Sequence, residues 1–89
     1  MFTLNREQIE LLLKIAKLHL AQFYLAMNDH WSLEDYQENR RYEEQIKKAE
    51  QEYREKFEPV PEWEYHEDVV KARDLLQKQL DELDADKKD

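Results

Sequence analysis

Residues 9–27, IELLLKIAKLHLAQFYLAM, decide how this 89-residue chain folds. At 100° per residue, Ile9, Leu12, Leu13, Ala16, Leu20, Phe23, Tyr24 and Met27 share one helical face, and Leu11, Ile15, Leu18 and Leu25 lie nearly opposite. Only the strip of Glu10, Lys14 and Lys17 is plainly polar. A helix apolar over most of its circumference must be enclosed by neighbours. Glu10, Lys14, Lys17, His19 and Gln22 interrupt the stretch, whereas a membrane span needs roughly 20 mostly apolar residues. The segment reads as a core helix. No basic region followed by an apolar run and a small-residue cleavage site opens the chain, so the expected protein is soluble and cytoplasmic.

Local punctuation places three helices. Asn5 is an N-cap with Gln8 at the third position, and Leu4 and Ile9 occupy the stapling positions, so helix 1 spans about 5–28. Asn28 and Asp29 tolerate turn geometry where glycine is missing. Ser32 with Asp35 makes a second capping box, flanked by Trp31 and Tyr36, and starts helix 2 at about 32–58. Pro59 stops it near Glu58, because proline disfavours helical geometry in the residue before it. Glu58-Pro59-Val60-Pro61 is a stiff, extended linker. Helix 3 starts between Glu62 and His66 and covers about 62–84, leaving 85–89 as a frayed polar tail. The expectation is a single all-α domain over 1–84, a three-helix up-down-up hairpin or bundle with helix 1 central.

Helix 2 offers a narrow apolar stripe of Tyr42, Ile46, Ala49, Tyr53 and Phe57. Helix 3 offers Val69, Ala72, Leu76, Leu80 and Leu83, with Val70 and Leu75 off the stripe. Two narrow stripes cover only part of helix 1, and soluble monomers rarely leave a large apolar patch exposed. A chain this short buries only about 60% of its unfolded surface, which also favours association. The residues therefore predict a homodimer through Leu11, Ile15, Leu18 and Leu25. The competing arrangement is a monomeric bundle with a few leucines left wet.

Composition removes whole classes of chemistry. Without cysteine there are no disulfides, thiolate metal sites or cysteine nucleophiles. Without glycine there are no phosphate-cradling loops or nucleophile elbows. The single serine, Ser32, is already used as a cap. His19, His30 and His66 lack metal-ligand spacing, and the abundant carboxylates have no enclosed pocket to separate their pKa values. No enzyme activity, metal or cofactor is expected. A ligand-binding bundle using His19 and Tyr24 is the weakest alternative.

The net charge is −8, and its distribution is uneven: residues 1–27 carry +1, residues 28–68 carry −8 and residues 69–89 carry −1. Within helix 2, Glu43–Lys47, Glu44–Lys48, Glu50–Arg54 and Glu52–Lys56 are spaced i to i+4 and read as a solvated structural face. Arg40 and Arg41 could clamp a phosphate or carboxylate, but pairing on that same face explains them. Acids without local partners form two groups, Asp29, Glu34, Asp35 and Glu38 interleaved with His30, Trp31 and Tyr36, then Glu58, Glu62, Glu64, Glu67 and Asp68 interleaved with Phe57, Trp63, Tyr65 and His66. Both groups also sit at helix starts, where carboxylates gain about 0.3–1 kcal/mol each from the macrodipole. In an up-down-up hairpin they occupy opposite ends, which is too sparse to imitate duplex DNA with one charge per about 1.7 Å. Excess acid also argues against direct contact with nucleic acid or an anionic membrane.

These features point to a non-enzymatic acidic helical interaction protein that binds and inhibits or regulates a protein partner, preferably one with a basic nucleic-acid-handling surface. The two acid–aromatic groups would form the partner-binding surface. The alternative is a structural assembly or scaffolding subunit acting through the apolar face of helix 1. The proline linker also has two readings: it presents Phe57 and Trp63 to a partner, or folds them back onto helix 1.

Overall fold

A computed structural model describes residues 5–57, 59–63 and 65–86. The chain is an all-α bundle of three helices: α1 (Arg6–Ala26), α2 (Leu33–Lys56) and α3 (His66–Asp86). Both anticipated capping boxes are present. The Asn5 side chain accepts from the Gln8 backbone N–H, and the Ser32 hydroxyl accepts from that of Asp35. The Gln8 and Asp35 side chains accept from the two cap N–H groups in return. Leu4, and with it the stapling contact, lies outside the described residues, as does 87–89. Ala85 and Asp86 extend α3 beyond the anticipated end.

The central helix is α1, as its apolar circumference demands. It packs against α2 and α3, and no α-carbon of α2 lies within 8 Å of one in α3 among the described residues. Lys56 meets Glu7 at 2.8 Å and Gln22 donates to Asn39 at 3.2 Å, so α2 runs antiparallel to α1. Arg6 meets Asp84 at 2.6 Å while the Phe23 and His66 rings lie 5.1 Å apart, so α3 is antiparallel to α1 as well. The order is therefore up-down-down, which corrects the up-down-up expectation. α2 and α3 are parallel neighbours of α1.

The linker makes this topology possible. It leaves α2 at the Arg6 end of α1 and must deliver the chain to the Phe23 end. About 21 Å of helix axis separates Ile9 from Phe23. The nine residues 57–65 between α2 and α3 reach about 28 Å in proline-rich extension. Pro59 and Pro61, both exposed, hold the chain open, while Val60 and Trp63 turn toward the core. α3 starts at His66, the late limit of its anticipated start, because 62–65 belong to this strap.

Trp63 joins two clusters. One contains Ile9, Leu12, Leu13 and Ile15 with Ala49, Tyr53 and Leu76; the other contains Ala16, Leu20 and Val69. The Trp63 ring packs partly buried against both and meets His19 edge-on at 6.3 Å. Phe57 likewise folds back, against the first cluster. α1 is thus covered on three sides, by α2, the strap and α3, and open along Glu10, Lys14 and Lys17. The remaining stripe residues follow suit: Ile46, Ala49, Tyr53, Val69 and Leu76 are buried, whereas Leu75 is exposed.

Replacing Trp63 by alanine should remove the joint between the two clusters and lower the unfolding free energy by about 2–4 kcal/mol. Leu75→Ala should stay within about 0.5 kcal/mol. Urea denaturation midpoints read both, and equal effects would contradict the strap's structural role.

Candidate functional site

The crossover decides where the unpaired acids go. Because α2 and α3 run parallel, both begin beside the C-terminal end of α1. Asp29, Trp31, Glu34 and Asp35 therefore share one end of the bundle with Glu62, Tyr65, Glu67 and Asp68. This corrects the expectation that the two groups occupy opposite ends. Asp29, Glu34, Glu62, Glu67 and Asp68 are exposed, and none is engaged in an ion pair or side-chain hydrogen bond. Asp35 differs, since it is held in the capping box by the Ser32 N–H at 2.9 Å. Glu58 and Glu64 lie outside the described residues.

Apolar surface gathers at the same end. Tyr24, Met27, Leu33, Tyr36 and Tyr65 are each between 56% and 73% exposed. Leu75 is the remaining exposed large hydrophobic among the described residues. Tyr24 and Met27, anticipated on the main core face of helix 1, stand free because α1 ends beyond that core. The patch has a rigid base. The Trp31 indole N–H donates to the Leu25 carbonyl at 3.0 Å, an oxygen near the end of α1 that also accepts from the Asn28 N–H at 3.1 Å. The same ring meets Tyr36 edge-on at 5.1 Å. On the α3 side, the half-buried His66 ring lies edge-on to Phe23 and to Tyr24, at 5.1 and 6.2 Å. Its Nε2 is enclosed and has no hydrogen-bond partner.

The electrostatics of this end are one-sided. The first turns of α2 and α3 carry Glu34, Asp35, Glu67 and Asp68, and the last turn of α1 carries no basic residue. At the opposite end the carboxylates are partly offset by closed pairs, Arg6 shared between Glu10 and Asp84, and Lys56 shared between Glu7 and Glu52. Hydrogen bonds from Arg6 to Asp84 and Glu10, and from Lys56 to Glu7 and Glu52, raise both bases above their ordinary pKa values. Of the four i to i+4 pairs anticipated in helix 2, only Glu52–Lys56 is closed, at 3.3 Å.

Trp63, anticipated at the partner surface, instead faces α1. The residues anticipated for self-association are also accounted for within one chain. Ile15 is fully buried, Leu25 is buried beside the Trp31 contact, and Leu11 packs partly buried on the core. Leu18 is half-buried and lines a hollow with Gln45 of α2. This side of α1 lies under α2, so the apolar excess that argued for a second copy is mostly gone. The proline linker takes the second of its two anticipated arrangements, with Phe57 and Trp63 folded back, and supplies a further wall for α1.

No group of three His, Cys, Asp or Glu residues able to hold a metal ion occurs among the described residues. No described helix is long and apolar enough to cross a membrane. No family model, curated protein or solved structure matches the chain.

Trp31→Phe keeps the ring but removes the donor to Leu25, and should cost about 1 kcal/mol in thermal or urea unfolding. Because the Lys56 pKa is raised on folding, its stabilisation is complete below the ordinary lysine range and is lost as pH rises through the raised value. Melting temperature should therefore fall with rising pH above about 10.5, and less steeply in Lys56→Met.

Proposed function

We propose that the chain is a non-enzymatic interaction protein that uses the acidic, aromatic end of its bundle to occupy a basic surface on a protein partner and thereby regulate or inhibit it. One observation carries the reading. The parallel α2 and α3 bring both unpaired acid groups and five exposed apolar side chains to one end of the molecule. Exposed tyrosine, methionine and leucine supply the desolvating contact that interface centres use, and carboxylates around them select a cationic counterpart. Carboxylates gathered without counter-ions repel one another, so a lysine- and arginine-rich surface relieves a strain that water and salt only screen. A nucleic-acid-handling groove has that character. The scaffolding alternative has lost support, because Ile15 and Leu25 on its contact face are covered by the chain itself.

The test uses immobilised protein and a defined Lys/Arg-rich peptide. Binding should weaken as salt rises, and charge reversal at Glu34, Glu62 and Glu67 should reduce it by at least about tenfold. Changing Met27, Leu33 and Tyr65 to serine leaves net charge unchanged and should also weaken binding, with each variant's stability within about 0.5 kcal/mol of the parent. Binding insensitive to these apolar changes would reduce the end to unspecific electrostatics and overturn the reading.

A further inference from the structure

We propose that the open side of α1 is a docking groove for an acidic amphipathic helix of a partner protein. The Glu10, Lys14 and Lys17 strip lies nearly opposite His19, against which the strap's Trp63 rests. Here α1 and α2 border a hollow of about 420 Å³ that includes Leu13, Lys14, Lys17, Leu18 and Gln45 in its lining. Gln45 also borders a second hollow of about 240 Å³, beside Arg41 and Tyr42. The first lies on the α1–α2 seam and the second on α2 alone, and they adjoin at Gln45 as a shallow furrow.

Charge in this furrow runs against that of the whole chain. The carboxylates nearby are already engaged: Glu10 accepts from Arg6 at 3.0 Å, and Glu38 accepts from the Tyr42 hydroxyl. Lys14, Lys17 and Arg41 are exposed and have no carboxylate at salt-bridge distance among the described residues. In a chain of net charge −8 the linings of the two hollows carry three cations, Lys14, Lys17 and Arg41, against the carboxylates of Glu10 and Glu38, and beside Leu18 they present a local site for an anionic partner with an apolar stripe. Lysine stems add apolar cover while their ammonium groups stay in water.

The shape selects a helix as the occupant. From Glu10 to Leu18 the seam rises about 12 Å, two helical turns, and Lys14 and Lys17 are spaced about 4.5 Å along it. A partner helix with leucines at i, i+3 and i+4 can rest on half-buried Leu18 and the stems of the lysines while glutamates on its flanks reach Lys14, Lys17 and Arg41. The furrow would then hold a fourth helix on the one side of α1 that its own chain leaves open. This inference stands apart from the acidic end and does not depend on it.

The probe is a fluorescently labelled synthetic peptide with leucines at i, i+3 and i+4 and glutamates on both flanks, followed by anisotropy. A scrambled peptide of the same composition serves as control. Because the protein as a whole repels polyanions, binding of the ordered peptide but not the scrambled one is the expected result. Affinity should fall by at least about tenfold in Lys14→Glu with Lys17→Glu, and in the milder Lys14→Ala with Lys17→Ala, with helical circular dichroism retained. Affinity of the Lys/Arg-rich peptide for the other end should not fall in either variant. Absence of binding, equal binding of the scrambled peptide, or affinity unchanged in both variants would overturn the proposal.

Discussion

The packing of Trp63 and Val60 against α1 is the contact on which the rest of the structure depends. α1 is too apolar to be served by two helices, and the third wall is a nine-residue strap that contributes no helix of its own. Burying a large side chain is worth about 1.5–3 kcal/mol, so a few inward residues give the strap a share in the core. The prolines at 59 and 61 contribute differently. They restrict the backbone before folding, so less entropy is lost when the chain is laid along α1. Without this strap α3 would have to return antiparallel to α2, and the two helix starts would be separated.

The same contact therefore governs the surface. Parallel α2 and α3 place two positive dipole ends at one end of the bundle, on separate flanks of α1, and each attracts carboxylates to its first turn. Acids that are individually explained as helix-start chemistry become a joint feature only because the crossover assembles them. Tyr36 is explained locally, since it staples to Trp31 across the Ser32 cap. Tyr65 at the end of the strap and Leu33 at the head of α2 have no comparable explanation, and both are exposed.

Much of the fold was legible from local rules. Asn5–Gln8 and Ser32–Asp35 marked helix starts because capping is a short-range hydrogen-bond problem, and Pro59 marked the end of α2 because proline lacks a donor. The stripe Ile46, Ala49 and Tyr53 is buried as its spacing requires. The direction of α3 was not legible, since periodicity is blind to which end of a helix arrives first. The doubled apolar face of α1 demands enclosure, and Ile15 and Leu25, which spacing alone assigns to a second copy, are buried within the one chain, because the breadth of cover given by α2 and Trp31 cannot be read from the narrow stripe of α2. At the candidate site the residue types were legible and their assembly was not. Sequence placed Asp29 and Glu67 far apart; a strap of nine residues brings their groups to one end.

The two ends of this molecule, 48 Å along its longest axis, are electrically unlike, one with open carboxylates and the other with closed ion pairs. In the field of a cationic body such a particle experiences a torque as well as an attraction. Such a field would turn it acidic end first during diffusion, before any side chain makes contact.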